Sequence, residues 1–201
     1  MSIHTFGDSH CSNRISGWRD CKNIISHCIG PVLCYSFGKQ KLNRCDIRKF
    51  KVKNGDSIIF CFGEIDCRCH IHKHISDGNT YQMIINNIVN NYADAVKLNA
   101  NVCGVNLKNV CIYNVVPPIQ KHNTPENSAY PYLGSDEERK QYVLYFNELI
   151  KQACIENGWI FFDIYDSYVD DNGYLSKKLS DGNVHIRDGL YMQQFINGHL
   201  L

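Results

Sequence analysis

Two distant segments of this chain carry residue types that could work together. The first holds Ser9. Ile3 to Phe6 read as the end of a short strand, and Gly7-Asp8-Ser9 turn out of it into polar sequence. A serine at such a turn is held at the C-terminal edge of a sheet, where α/β proteins keep their chemistry. A serine hydroxyl is a weak nucleophile alone and needs a base. Gly, Asp and Ser also favour turns in their own right, so the tripeptide becomes chemistry only if another segment supplies that base. The second segment is Leu179-Ser180-Asp181-Gly182-Asn183-Val184-His185, which places an aspartate and a histidine just before the last helical pattern.

Two further groups could contribute. Gly63-Glu64-Ile65-Asp66-Cys67-Arg68 ends an apolar run and sets Glu64, Asp66 and Arg68 close together, either to face a substrate or to form a salt-bridged loop. Overlapping it, Cys67-Arg-Cys69-His70-Ile-His72-Lys-His74 packs five thiol or imidazole groups into eight residues. These are ligands that zinc prefers. The spacing is not a Cys-x2-Cys knuckle, however, and no second pair stands at a matching distance. If extended, the segment puts Cys67 and Cys69 on one side and the three histidines on the other. No metal ligand is assigned, and a histidine here could instead bind substrate at a pocket rim.

The elements that must position these groups follow from periodicity. Residues 2–7 form a first strand. Ile15, Trp18, Cys21, Ile24, Ile25 and Cys28 recur at helical spacing, which predicts a helix over 11–28. Val32 to Ser36 predict a second strand, closed by Phe37-Gly38-Lys39. Ser57 to Phe62 form a continuous apolar run, the mark of a strand covered on both faces. A long amphipathic helix is expected over 79–99, a fourth strand over Val110 to Val116, and a polar loop over 119–135. Loops of that length within a compact domain are usually functional or mobile. Ser135-Asp136-Glu137-Glu138 open another helix, which Asn157-Gly158 stop. Trp159 to Ile164 give a fifth strand, and Leu190, Met192, Phe195 and Ile196 mark a last helix. Short apolar strands alternating with helices imply a parallel sheet with helices on both faces. In that architecture Asp8-Ser9, Gly38, the 63–68 segment and the loop after Pro118 share one sheet edge. His185 can pack back beside the first strand.

Composition sets the bounds. The chain has 201 residues, the size of one ordinary domain, here 1–201. With 21 Lys+Arg against 20 Asp+Glu, charge offers no argument for nucleic acid or an anionic membrane. No apolar run reaches the roughly 20 residues that span a bilayer, and the start lacks the form of a signal peptide. A soluble cytoplasmic protein is expected. Eleven cysteines, an odd number in a chain of this length, are expected to be reduced thiols.

Taken together, Gly7-Asp8-Ser9 and the Leu175 to Ile186 stretch resemble the first and last blocks of the SGNH (GDSL-type) hydrolases. The resemblance implies a three-layer α/β/α, flavodoxin-like fold with a five-stranded parallel sheet. It also implies a serine esterase acting on a small ester, such as an O-acetylated carbohydrate, without a cofactor. Ser9 would attack the acyl carbonyl, His185 would take its proton and Asp181 would orient His185. Gly38 best matches the glycine of the second block, an oxyanion donor. Two positions depart from the pattern. Ile65 stands where the third block carries an oxyanion-binding Asn, with Arg68 or a backbone N–H as candidate replacements. The Asp181–His185 spacing is also one residue longer than usual, which leaves Asp188 as an alternative partner. A catalytically weak or inactive ligand-binding protein on the same fold is the second reading, and a metal-binding protein the third. Oligomeric state is left open.

Overall fold

The computed structural model describes residues 1–125 and 127–201; Glu126, inside the expected 119–135 loop, lies outside the described residues. Five strands form one sheet: β1 (Ile3–Gly7), β2 (Ile24–Cys28), β3 (Ser57–Cys61), β4 (Asn109–Tyr113) and β5 (Ile160–Phe162). All neighbours are parallel, in the order β2-β1-β3-β4-β5. The helices are α1 (Cys34–Gln40), α2 (Ile71–Lys73), α3 (Tyr81–Val102), α4 (Asp136–Asn157) and α5 (Leu190–His199).

Side-chain alternation along the strands builds two cores. Phe6, Ile58, Phe60 and Ile112 face α1, α3 and α4, where Phe37, Ile88, Tyr92 and Phe146 meet them. Ile3, Ile59, Cys111 and Phe162 face the other way, onto Trp18, Met192 and Ile196. β1 and β3 are buried along their whole length, as their continuous apolar runs require. The result is the expected three-layer α/β/α arrangement.

The helix boundaries have local causes. Ser135 caps α4 by accepting from the Glu138 N–H, while the Glu138 carboxylate accepts from the Ser135 N–H at 2.8 Å, a reciprocal capping box. Gly158 ends α4 in the left-handed region at φ 67°, which costs glycine little.

The region from 11 to 36 differs from expectation. The predicted helix over 11–28 is two single-turn 3-10 segments, Ser9–Cys11 and Gly17–Asp20, followed by β2. The predicted second strand at 32–36 is instead the entry to α1. β2 is an edge strand with only partly buried side chains, so it lacks the apolar run that marks the inner strands. Gly38 therefore does not end a strand. It lies within α1 against α3, where a Cβ would stand 2.9 Å from the Asn91 Cβ and 3.0 Å from the Asn91 carbonyl carbon. Gly38 is a helix-packing glycine, and the glycine that follows β2 is Gly30.

The switch in strand order falls between β1 and β3, since the chain leaves β1 to one side for β2 and returns on the other for β3. Crevices at such points, outside the carboxyl ends of the strands, are where open α/β sheets bind ligands. Ser9 follows β1 and the 63–68 segment follows β3.

Candidate active site

The turn that carries Ser9 begins with a close approach. A Cβ on Gly7 would lie 2.0 Å from the Cys61 carbonyl oxygen of β3, so only glycine fits. Asp8 then caps the 3-10 turn by accepting from the His10 N–H at 2.9 Å. Three side chains hold the far side of the turn. Thr5 Oγ1 donates to the Cys11 carbonyl at 2.8 Å, and the His10 carbonyl accepts from Trp18 Nε1 at 2.8 Å and Ser16 Oγ at 3.3 Å. Ser9 is thereby fixed at the sheet edge.

The 180–186 segment is held against this turn. Ser180 and Ile186 form an antiparallel bridge, Asp181 N donates to the His185 carbonyl at 3.0 Å, and Gly17 N donates to the Ile186 carbonyl at 2.8 Å. The side chains then form a continuous chain. His185 Nε2 lies 2.8 Å from Ser9 Oγ, and His185 Nδ1 lies 2.8 Å from Asp181 Oδ2. With the ring proton on Nδ1, that nitrogen donates to Asp181 and Nε2 accepts from Ser9. Asp181 Oδ1 also accepts from Asn183 N at 2.8 Å and His185 N at 3.2 Å, which fixes the carboxylate. The extra residue in the Asp181–His185 spacing is absorbed by this small loop. Asp188 is elsewhere, with its Oδ1 accepting from the Leu190 N–H at the start of α5. Burial lowers the His185 pKa and the neighbouring His10 adds to the effect; the hydrogen bond and charge of Asp181 oppose it without reversing it.

Ser9 and His185 open into a cavity of about 380 Å³, also lined by Pro31, Ile65, Arg68, Asn127, Tyr130 and Tyr132. Ile65 thus faces the site with a side chain that can donate nothing. Arg68 lies on the same wall, 8% exposed, with Nε 3.0 Å from Glu64 Oε1. The Tyr130 and Tyr132 rings lie 5.9 and 5.4 Å from its guanidinium carbon, within cation–π range. The Leu133 N–H donates to the Arg68 carbonyl at 3.1 Å, which ties the 119–135 loop to this wall.

Of the three charged residues after β3, Arg68 lines the cavity, Glu64 pairs with Arg68 behind it, and Asp66 turns away. Asp66 is fully buried and accepts from the backbone N–H groups of Cys34 at 2.6 Å and Tyr35 at 3.0 Å, at the start of α1. Burial pushes its pKa up to about 7 against the pull of those bonds. It is a structural cap, not a cavity residue. The Cys67–His74 cluster is dispersed because 66–73 is helical, with a π-helical turn over Asp66–His70 that runs into α2. Cys67 is buried, His70 packs on Tyr35, and His72 Nδ1 lies 3.1 Å from the Tyr142 hydroxyl. Among the described residues no group of three or more His, Cys, Asp or Glu side chains is placed to hold a metal ion. All eleven cysteines are free thiols. No described helix is long and apolar enough to cross a membrane.

Sequence reasoning missed His10. Its ring packs against His185 with centroids 4.8 Å apart, and its Nε2 lies 3.6 Å from Glu64 Oε2. The only signal was its place directly after Ser9.

No family model matches the sequence, and no curated protein matches it either. Solved structures do. A GDSL-like lipase from Bacteroides thetaiotaomicron superposes with a TM-score of 0.65 at 16% identity, over 98% of this chain and 86% of that one. The fold is that of the SGNH (GDSL-type) hydrolases. An aryl esterase from M. smegmatis matches with a TM-score of 0.61 at 13% identity, over 98% of each chain. A catalytic mutant of an acetylxylan esterase from Geobacillus stearothermophilus matches at 0.61 and 9% identity, over 97% of this chain and 91% of that one. At these identities the likeness is one of SGNH fold.

Proposed function

We propose that this protein is a serine acyl hydrolase that cleaves a small ester by a Ser9–His185–Asp181 mechanism. The observation that carries the reading is the unbroken chain of two 2.8 Å contacts from Asp181 through His185 to Ser9. Ser9 Oγ forms a bond to the acyl carbon as its proton passes to His185 Nε2. The same proton then goes to the departing alkoxide, which leaves as the alcohol. Water, deprotonated by His185, hydrolyses the acyl-serine and restores Ser9. Asp181 holds the imidazole in the tautomer that leaves Nε2 free, and it stabilises the imidazolium.

The negative charge on the carbonyl oxygen needs donors where Ile65 offers none. Arg68 is the donor proposed here. It is the charged group on the wall that Ile65 shares, and Glu64 and the two tyrosines hold its orientation. A permanent cation at a developing oxyanion acts as a preorganised stabiliser. The alcohol portion is proposed to be a carbohydrate carrying an O-acetyl or other small acyl group. Support comes from the amide, hydroxyl and aromatic groups of Asn127, Ser128, Tyr130 and Asn183 around the cavity. The acetylxylan esterase among the fold neighbours agrees with that choice.

The presence of Ile65 favours one rival, a binding protein that keeps the fold without turnover. Hydrolysis of p-nitrophenyl acetate by the purified protein separates the two. The hydrolase reading expects turnover that Ser9→Ala removes; ligand binding that survives Ser9→Ala in a protein without turnover would favour the rival.

A further inference from the structure

Behind the proposed catalytic residues lies a second charged cluster, of which the mechanism above uses only Glu64, as the partner of Arg68. His10 follows the nucleophile, is only 5% exposed, and sets its ring against His185 at a tilt of 43°. Asp8 is fully buried and bonds the His10 N–H, and Glu64 faces His10 Nε2 at 3.6 Å, an ion-pair contact too long for a hydrogen bond. Asp8 Oδ2, His10 Nε2 and Glu64 Oε2 have no hydrogen-bond partner in the protein. These three residues border a cavity of about 10 Å³ at the ends of β1, β3 and β4, room for one bridging water.

We propose that His10 is a charged positioning residue: the buried Asp8–His10–Glu64 cluster sets a cationic ring against His185 and keeps that ring an unprotonated base. The first support is charge balance. Buried charges persist only when paired. Asp8 and Glu64 are two buried carboxylates; Arg68 stands 3.0 Å from Glu64, and an imidazolium on His10, 3.6 Å from Glu64, supplies the second positive charge. The second is the direction of each ionisation. Burial alone would lower the His10 pKa, yet Glu64 and Asp8 more than offset it and leave it raised. Burial would raise Glu64, yet His10 and Arg68 hold it below its ordinary value. Burial pushes Asp8 up to about 6, which still leaves it ionised at neutral pH.

Two charges around the rings work the other way, Arg68 lowering the His10 pKa and Glu64 raising that of His185, and neither reverses the net direction. The Cys28 thiol, at the end of β2, is held below its usual range, chiefly by Cys11 and least by His10. Cys61 of β3 and Tyr113 of β4 are pushed up by burial and stay neutral. Asp181 is the carboxylate on the far side of His185. A like charge 4.8 Å away disfavours protonation of His185. Its catalytic consequence rests on the hydrolase reading; the charge state of His10 does not.

Long-range 1H–15N spectra of the 15N-labelled protein test the charge order directly. His10 should carry protons on both ring nitrogens at pH 7, and His185 on one. A neutral His10 at pH 7, or a His10 that loses its charge at lower pH than His185, overturns the proposal. The kinetic arm uses His10→Gln with p-nitrophenyl acetate. The acid limb of kcat/KM should move up by roughly one pH unit, the scale expected for one charge at this distance in a partly screened site. A merely structural role would lower the rate without moving the limb, and that result also overturns the proposal. If the wild type turns over no ester, the hydrolase reading fails while the spectra still decide the charge of His10. If His10→Gln does not fold, the wild-type spectra alone decide.

Discussion

Replacing Asp181 by Asn should remove nearly all activity without altering the fold. Asp181 Oδ1 accepts two backbone N–H groups, from Asn183 and His185, while Oδ2 accepts from His185 Nδ1. In Asp181→Asn the two backbone donors claim the one remaining oxygen. The amide NH2 must then face His185 Nδ1, which can meet it only as an acceptor. That flips the imidazole tautomer, puts the proton on Nε2, and takes from Ser9 the base that now lies 2.8 Å away. A wrong-tautomer base costs about 10⁴-fold in kcat, or about 5.5 kcal/mol of barrier. Asp188→Asn is the control, since its carboxylate only caps the Leu190 N–H, a task Asn performs equally well. The assay is steady-state hydrolysis of p-nitrophenyl acetate, with circular dichroism to show that both variants are folded. Retention of more than a tenth of the activity in Asp181→Asn, or an equal loss in Asp188→Asn, would refute the assignment.

Other outcomes follow from the same geometry. Arg68→Met should lower kcat by about 10²- to 10³-fold with little change in KM, the cost of one oxyanion donor; an unchanged kcat would move that role elsewhere. Gly38→Ala should destabilise by about 1–3 kcal/mol through overpacking between α1 and α3, while kcat measured well below its melting temperature stays near wild type. Asp66→Ala leaves the Cys34 and Tyr35 N–H groups without their acceptor and should cost about 2–4 kcal/mol in denaturant unfolding. Cys28 is exposed where the ten other cysteines are buried or half-buried, and its thiol is held below the usual range, so mass spectrometry after brief iodoacetamide treatment at pH 7 should find it alkylated first.

The inner strands and long helices were legible because one local signal sufficed for each. β3 reads as an apolar run because both its faces are covered, and α4 announces itself with a capping box and a stopping glycine. Residues 11–36 were misread for the opposite reason. Trp18, Ile24 and Cys28 fall at helical spacing by coincidence. β2 at the sheet edge keeps Ile25 43% exposed. The apolar Val32 to Ser36 run feeds a short buried helix, which periodicity alone does not distinguish from a strand. The Gly38 assignment failed with that strand. Ser9, Asp181 and His185 could be paired because each belongs to a recognisable block. The pairing of His10 with Glu64 joins residues 54 apart through the β1–β3 register, and no spacing rule in the sequence reports it.

The central claim is that Ser9 is a nucleophile activated by His185. A fluorophosphonate probe tests it without any assumption about substrate. The account predicts a single covalent adduct on the intact protein, mapped to the peptide containing Ser9. Labelling should be absent in Ser9→Ala and strongly slowed in His185→Ala. A folded wild-type protein that takes up no probe, or an adduct that persists in Ser9→Ala, would contradict it.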